Sequence, residues 1–136
     1  MEQFQVYILA ADCAFYEGPC ESLIVPTLQG QYGILAHHSN TIGAVVPGTL
    51  FYQVPGESMR MAAVSEGLVK IENNEVLVLV DAAERPEEID ENRARRAADE
   101  AREAILQKRS IQEYRTAQAN LARAISRLRV TDRRIR

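Results

Sequence analysis

The chain has 136 residues, which is enough for one ordinary domain, or for a small core-bearing domain plus an appendage with little core of its own. It is 46% hydrophobic and 26% charged, the composition of a globular protein, and its apolar runs are too short to span a bilayer. The net charge of −3 combines a balance of −7 over residues 1–86 with one of +4 over residues 87–136, and the basic C-terminal part favours an anionic partner: an acidic protein surface, phosphate or nucleic acid.

The sequence changes character at Pro86. All seven glycines and all five prolines lie at or before this residue, whereas residues 87–136 contain neither and are rich in Ala, Arg, Glu, Leu and Gln. Glycine and proline interrupt regular structure, and the residues that follow are good helix formers. We therefore predict sheet before Pro86 and helix after it.

Short strands are predicted along the first part of the chain. Phe4, Val6 and Ile8 alternate with their neighbours, as the buried face of a strand does. A turn is expected at Gly18-Pro19, and a strand over residues 20–25 is expected to end before Pro26. Two hairpins follow: residues 49–54 with 59–64, and residues 68–71 with 76–80. This spacing of strands and turns predicts a small antiparallel sandwich or barrel over residues 1–84.

Three features of this part resemble functional motifs. Gly30 and Gly33 lack the Lys and the following helix of a phosphate loop, so a tight turn is the simpler interpretation. His37 and His38 are adjacent, point to opposite faces of an extended segment and cannot bind one metal together; one is expected to be structural and the other exposed. The two cysteines, Cys13 and Cys20, are expected to be small buried residues in a reducing, cytoplasmic setting. No catalytic triad or metal-ligand set is present, so we predict no catalytic or metal site.

Two amphipathic helices are predicted after Pro86, joined near Ser110, which could cap the second helix, to form a helical hairpin. Alanine buries little area, so a seam of this kind contributes only a few kcal/mol at about 25 cal/mol per Å², and the hairpin should be able to open. The apolar stripes are Ala94, Ala97, Ala98, Ala101, Ala104 and Ile105 in the first helix, and Tyr114, Ala117, Leu121, Ile125 and Leu128 in the second.

Over almost its whole length the sequence resembles the epsilon subunits of bacterial-type rotary (F-type) ATP synthases. The strongest match is Ile89-Asp90-Glu91-Asn92-Arg93-Ala94, which is similar to the signature at the start of that family's first C-terminal helix. The sequence departs from the family at Ala36-His37, at Asn40 and at Glu66-Gly67, where a Gly-Gly pair is common. The other matches are residues 30–35 followed by His38, 76–79, 82–85 and 122–128.

The resemblance implies a non-catalytic central-stalk subunit with a ten-stranded sandwich, residues 1–86, that contacts the gamma subunit and the c subunits of the rotor ring. It also implies a regulatory hairpin, residues 87–136, that extends toward the alpha/beta catalytic head and restrains ATP hydrolysis. The implied location is peripheral, at the cytoplasmic face of the bacterial membrane, with membrane contact only through the complex and no nucleic-acid partner. The implied partner contacts are His38, Arg115, Arg123 and Arg127.

Some relatives bind ATP on the folded hairpin, and the resemblance carries that possibility to this chain, although no cofactor is required. The residues that match such a site are Glu84, Asp90, Arg93, Arg123 and Arg127. Against it, Asp90 could simply cap the helix and pair with Arg93, and Glu100 stands where nucleotide-binding relatives have an arginine.

Two alternatives to a stalk subunit remain open at this point. One is a free-standing nucleotide-binding regulator. The other is a nucleic-acid-binding module that uses the basic residues 127–136, although the acidic N-terminal part and the scarcity of aromatic residues argue against it.

Overall fold

The computed structural model describes residues 2–107 and 111–135. It contains ten strands, a short 3-10 turn at Pro86–Glu88 and two helices. The strands are β1 (Phe4–Ala10), β2 (Ala14–Cys20), β3 (Ser22–Thr27), β4 (Gly30–Leu35), β5 (Thr41–Val45), β6 (Gly48–Gln53), β7 (Arg60–Val64), β8 (Gly67–Glu72), β9 (Glu75–Val80) and β10 (Ala83–Glu84); the helices are α1 (Glu91–Gln107) and α2 (Ile111–Ile135).

The strands form two five-stranded sheets, which confirms the predicted all-β sandwich followed by a helical hairpin. The first sheet has the order β2-β1-β9-β8-β5 and the second has the order β10-β7-β6-β3-β4. The predicted inward face of the first strand is confirmed, because Phe4, Val6 and Ile8 are at most 3% exposed. With them the core contains Phe15, Cys20, Leu23, Val25, Ile34, Val45, Leu50, Tyr52, Ala62, Val64, Val69, Ile71, Val76, Val78 and Val80.

One strand pair departs from the antiparallel prediction. β1 and β9 are parallel, in a register that pairs Gln5 with Glu75 and Ala10 with Val80. These strands lie far apart in sequence, so no turn connects them and no local signal sets their relative direction. Their pairing is set by how the whole sheet assembles.

Two predicted turns are wrong. Gly18-Pro19 lies inside β2, where Pro19 pairs with Gln5, and β2 is an edge strand, so the missing N–H of proline breaks no second ladder. β3 also does not end before Pro26 as predicted: Pro26 lies inside the strand and pairs with Gln31 of β4, beyond the residues of β3 that pair with β6. The predicted turn around Gly30 and Gly33 falls earlier, at residues 28–29, and both glycines belong to β4.

Both predicted hairpins are confirmed, as β6-β7 and β8-β9. In the second, Asn73 and Asn74 have φ of 51° and 63°, the left-handed geometry that asparagine tolerates. The Asn74 side chain accepts a hydrogen bond from the His37 backbone N–H (2.6 Å) and donates one to the Gln3 carbonyl (3.1 Å). One turn thereby ties together three segments of the sandwich.

The two cysteines differ from each other, contrary to the prediction that both are buried. Cys20 is fully buried in the core, but Cys13 is exposed. Cys13 follows β1 in the loop that leads to β2, where a small side chain has no core to enter. Burial raises the pKa of the Cys20 thiol, which keeps it protonated.

The helices pack against each other along small residues, as the alanine-rich pattern predicts. Ala94, Ala98 and Ala101 of α1 are buried, and so are Ala117, Ala124 and Thr131 of α2. The second stripe is rotated from its predicted position, because Leu121, Ile125 and Leu128 are only half-buried. Ser110 lies outside the described residues, as does the side chain of Tyr114.

The second helix is the longer of the two. α2 has 25 residues, which corresponds to about 37 Å at 1.5 Å per residue. Of the two helices it is mainly α2 that lies against the sandwich, on β6 and β7. Within the described part of the chain no helix is both long and apolar enough to cross a membrane.

Candidate functional site

The segment between sandwich and hairpin is held to the second sheet by a short serine-centred network. Ser65, which is 6% exposed, donates its backbone N–H to the Ala82 carbonyl (3.0 Å), and its Oγ accepts from the Ala82 N–H (2.7 Å). The Asp81 N–H donates to the Glu66 carbonyl (3.2 Å). β10 then pairs Glu84 with Ala63 of β7. The residues that precede the hairpin are therefore part of the sandwich.

Arg85 fixes the 3-10 turn that follows. Its guanidinium lies 4.4 Å from the centre of the Phe15 ring and donates a hydrogen bond of 2.8 Å to the Phe15 carbonyl. It also donates to Glu88 at 3.1 Å, and the Glu88 carboxylate accepts from the Arg85 backbone N–H. These contacts combine cation–π attraction with a reciprocal cap, so the chain leaves the sandwich in a fixed direction.

Asp90 caps α1. Its Oδ1 accepts a hydrogen bond of 3.1 Å from the backbone N–H of Arg93, which satisfies one of the free donors of the first turn. The capping part of the simpler interpretation is therefore confirmed; among the described residues Asp90 contacts Arg93 through its backbone N–H and forms no ion pair with its guanidinium. Arg93 is exposed and lines a cleft beside the start of the helix.

One face of α2 carries the contact with the sandwich. Arg123, Arg127 and Val130 lie four and three residues apart and so share that face. Arg123 Nε donates to Glu66 Oε2 (3.1 Å), and its Nη2 donates to Glu66 Oε1, which completes a two-pronged ion pair. Arg127 Nε donates to Glu84 Oε1 (2.6 Å).

The third contact of this face is apolar. Val130 is fully buried and packs in a small cluster with Ile89 of the joint and Ala63 of β7, to which the half-buried Met61 adds. Ser126, four residues before Val130 on the same face, is 5% exposed, and its hydroxyl has no hydrogen-bond partner among the described residues. The contact between α2 and the sandwich is therefore narrow, and it leaves the hydrogen-bonding capacity of one buried hydroxyl unused.

Two adjoining clefts lie along this contact. The larger, of about 460 Å³, brings together Glu84, Asp90, Arg93 and Arg127 of the predicted nucleotide set. The smaller, of about 160 Å³, is lined by Arg123, Arg127 and Glu84, so all five predicted residues lie around one connected region. The larger cleft is also lined by Asp12, Cys13, Ala82, Ala83, Glu88 and Ala94.

The electrostatics of the region are dominated by internal pairing. Hydrogen bonds from Arg123 hold the pKa of the Glu66 carboxyl below its ordinary value, against the opposing effect of burial. Around the larger cleft four carboxylates face two arginines. A polyanion bound there would meet more negative than positive charge unless it brought its own cation.

The remaining predicted residues lie elsewhere. The His38 ring forms a hydrogen bond of 2.8 Å with the Tyr32 hydroxyl and a second one with the Ser39 carbonyl; it is half-buried, whereas His37 is exposed in a turn with φ of 63°. One structural and one exposed histidine are therefore observed, although the segment is a turn and not extended. Arg115 is exposed on α2, and Glu100 is exposed on α1 and lines neither cleft.

Sequence reasoning missed three residues of this region. In the sequence Glu66 stands out only as a departure from the family pattern, yet it is the partner of Arg123. Its single signal in the sequence is a carboxylate where a glycine is common. Ser65 and Val130 gave no signal, because a buried serine and an apolar helix residue acquire their roles only from what packs against them.

Two family models match the chain, both described as ATP synthase, Delta/Epsilon chain: the beta-sandwich domain over residues 3–86 and the long alpha-helix domain over residues 87–132. Among similar proteins, the ATP synthase epsilon chain of Ruminiclostridium cellulolyticum is 40% identical over 134 residues, covering 98% of this chain and 99% of that one. The ATP synthase epsilon chain of Caldanaerobacter subterraneus is 40% identical over 131 residues, with coverage of 96% and 94%.

Solved structures with a similar fold come from two larger assemblies. A chain of the Euglena gracilis mitochondrial ATP synthase (OSCP/F1/c-ring) has a TM-score of 0.80 at 20% identity, covering 98% of this chain and 82% of that one. A chain of the Tetrahymena thermophila mitochondrial ATP synthase (central stalk/c-ring) has a TM-score of 0.64 at 12% identity, with coverage of 96% and 97%. At these identities the likeness is one of fold.

Proposed function

Because the chain belongs to the ATP synthase delta/epsilon chain family, we propose that it works as the epsilon chain of a rotary ATP synthase, a non-catalytic subunit of the central stalk. In this proposal residues 1–86 bind the gamma subunit and the rotor-ring c subunits, and residues 87–136 regulate ATP hydrolysis at the alpha/beta head. The subunit is then peripheral to the membrane, at the cytoplasmic face in a bacterium.

The outer face of the first sheet supports a protein partner for the sandwich. Ile42 is 72% exposed, and Leu68 and Leu79, which pair across β8 and β9, are 42% and 39% exposed. Exposed apolar side chains grouped on one sheet face mark an interaction surface. We assign this face and His38 to gamma, and the separate β3-β4 turn, where Leu28 is 80% exposed, to the rotor ring.

Co-purification tests that assignment. Ile42→Asp should weaken retention of the chain by gamma, because it places a charge in the apolar face, whereas Gln29→Asp, at an exposed position outside that face, should leave it unchanged. If the native chain is not retained by gamma at all, a free-standing regulator becomes the better description.

The narrow contact between α2 and the sandwich is the observation that carries the regulatory part. It consists of two partly exposed ion pairs and one apolar cluster, and it buries the unpartnered Ser126 hydroxyl. Partly exposed ion pairs contribute about 0–1 kcal/mol each, and full burial of one valine contributes about 1.5–3 kcal/mol. A docked and a released state separated by a few kcal/mol can both be populated or selected by a partner. Once released, α2 is long enough to reach about 37 Å.

Removal of the hairpin tests this regulation. A chain that ends after Arg85 keeps the Arg85 contacts with Phe15 and all ten strands, so it should still assemble with its partners. We expect ATP hydrolysis by the assembled complex to rise relative to the full-length complex. Unchanged hydrolysis in a fully assembled truncated complex would contradict an inhibitory hairpin in this protein.

ATP sensing is a second candidate, supported by the cleft of about 460 Å³, a volume within the ordinary range of small-molecule sites. In this proposal Arg93 and Arg127 bind phosphate groups and Asp90 and Glu84 lie beside them. Because carboxylates outnumber arginines there, we expect Mg-ATP to bind better than metal-free ATP.

Thermal unfolding of the isolated chain tests the site. Millimolar Mg-ATP should raise the melting temperature, since a ligand that binds only the folded state stabilises it. Arg93→Ala should abolish the shift, and Arg95→Ala should preserve it, because Arg95 pairs with Glu91 on the same helix and lines neither of the two clefts described above. No shift in the native chain would sink the sensing proposal and leave the stalk function standing.

The nucleic-acid alternative loses part of its basis in this geometry. Arg127, the first of the basic residues 127–136, already has a carboxylate partner within the chain, as does Arg123 on the same helix face. We therefore expect no tight, salt-dependent complex with duplex or single-stranded nucleic acid.

A further inference from the structure

We propose that Glu66 and Glu84 of the sandwich form an ion-pair latch with Arg123 and Arg127 of α2, which docks the hairpin without any bound ligand. Within this latch Glu66 is the positioning residue, at a place where the family that this chain resembles commonly has glycine. The inference concerns the isolated chain, so it stands or falls independently of the proposed regulation of hydrolysis.

The Glu66–Arg123 pair has the geometry of a strong ion pair. Two guanidinium nitrogens, Nε and Nη2, donate to the two carboxylate oxygens, an arrangement that restricts both side chains to one orientation. Arg123 Nη1 donates to Asn120 Oδ1 (3.1 Å) one turn earlier on the same helix. The arginine is thus oriented by its own helix before it meets the sandwich.

The backbone that presents Glu66 is fixed on both sides. Ser65 is bonded twice to Ala82, and the Glu66 carbonyl accepts from Asp81. Gly67 lies so close to β9 that an added Cβ would be 1.8 Å from the Leu79 carbonyl oxygen. These contacts restrain the backbone that carries Glu66. Little further conformational freedom of this backbone is therefore lost when α2 docks.

The second pair, Glu84 with Arg127, lies one helical turn along and is joined by a single hydrogen bond. Glu84 lies on β10, which is paired to β7, and its side chain is 26% exposed. Arg127 stands four residues after Arg123, so both guanidiniums approach the same side of the sandwich. Several other ion pairs of the described residues join positions three or four apart, whereas these two link residues 57 and 43 positions apart.

The latch contains its own charge balance. The charged groups around Glu66 are Arg123 and Arg127 from α2, and Asp81 and Glu84 from the joint. Two acids of the latch meet two bases, so the docked state needs no added anion to neutralise the α2 arginines. An anionic ligand that used Arg123 would have to displace Glu66.

Distance measurement between two spin labels in the full chain tests the latch. The labels are placed at Glu17→Cys on β2 and Arg129→Cys on α2, both exposed positions, in a Cys13→Ser background; Cys20 is buried and stays unlabelled. Docked and released hairpins then give separate distance populations. The measurement is made without nucleotide and at low salt.

Glu66→Gln and Arg123→Gln should each lower the docked-to-released ratio about two- to fivefold, as expected for a partly exposed ion pair. The double variant should lower it no further than either single variant. The charge-reversed Glu66→Arg, Arg123→Glu chain should recover most of the loss. Glu72→Gln, which breaks the exposed Lys70–Glu72 pair of the first sheet, is the matched control and should change nothing.

Salt supplies an independent readout. Raising the ionic strength from about 0.05 M to about 0.5 M should release part of the native hairpin and have less effect on the double variant. An unchanged ratio in both single variants, or equal salt responses in the native and double-variant chains, would overturn the latch. Loss of docking in the control would overturn it as well, since the effect would then come from general charge loss.

Discussion

Val130→Ala should release the hairpin more strongly than the loss of either ion pair. Val130 is completely buried against Ile89 and Ala63, at the end of the α2 face that carries the two arginines. The substitution removes two methyl groups, which at about 0.8 kcal/mol each is about 1.6 kcal/mol of apolar burial, and a residual cavity adds to this loss. Since 1.4 kcal/mol is a factor of ten, we expect the docked-to-released ratio to fall at least about tenfold.

The spin-label pair at positions 17 and 129 measures this ratio directly. Leu128→Ala is the control: Leu128 loses more apolar volume, is only half-buried and points roughly 160° away from Val130 around the helix. It should loosen the seam between α1 and α2 and leave docking on the sandwich nearly unchanged. If Val130→Ala and Leu128→Ala release the hairpin equally, the sandwich contact is not what holds α2, and the reasoning fails.

Three further predictions follow from single contacts. Ser126→Ala should raise the docked-to-released ratio about fivefold in the same measurement, because it removes a buried hydroxyl that lacks a partner, a cost of about 1 kcal/mol or more. Gly67→Ala should lower the free energy of unfolding of the sandwich by about 3 kcal/mol or more in urea, because its Cβ would clash with a backbone carbonyl. Gly33→Ala is the control: it has open space around it and should change this free energy by less than about 1 kcal/mol. Hydrogen bonds from Arg123 lower the docked-state pKa of Glu66 below 4.5, so its contribution should be complete above that pH and disappear as the pH falls through the lowered pKa; Glu66→Gln should remove this part of an acid titration of docking.

The apolar contact and the ion pairs between α2 and the sandwich make different contributions to docking. The apolar cluster of Val130, Ile89 and Ala63 supplies most of the free energy of docking, while the ion pairs set the position of the helix and make it sensitive to salt. The buried hydroxyl of Ser126 opposes both. A contact assembled in this way is strong enough to define a docked state and weak enough to be reversed by a protein partner.

Much of the fold could be predicted because its signals are local. The alternation of Phe4, Val6 and Ile8, the asparagine pair between β8 and β9, and the alanine periodicity of α1 each depend on neighbours within a few residues. The errors arose where that condition fails. Pro19 is tolerated in a strand because β2 lies at the edge of its sheet. Local sequence signals do not show which strands lie at an edge.

The candidate site shows the same division. The role of Asp90 as a helix cap depends only on neighbouring residues, so it could be predicted from the sequence. Glu66 as the partner of Arg123 joins residues 57 positions apart, and nothing in either neighbourhood specifies the pair. The family resemblance pointed to both arginines and to Glu84, but not to Glu66, the carboxylate that this chain places against Arg123.

The sequence by itself determined two regions of different secondary structure, their boundary at Pro86 and the weak alanine seam of the hairpin, since periodicity and composition act over one or two turns of chain. Only the tertiary structure decided the parallel β1-β9 pairing, the face of α2 that meets the sandwich and the matching of Glu66 and Glu84 to two arginines. Those features depend on contacts between surfaces that are formed by distant parts of the chain. The free energy of these contacts is a few kcal/mol, spread over residues that are far apart in sequence.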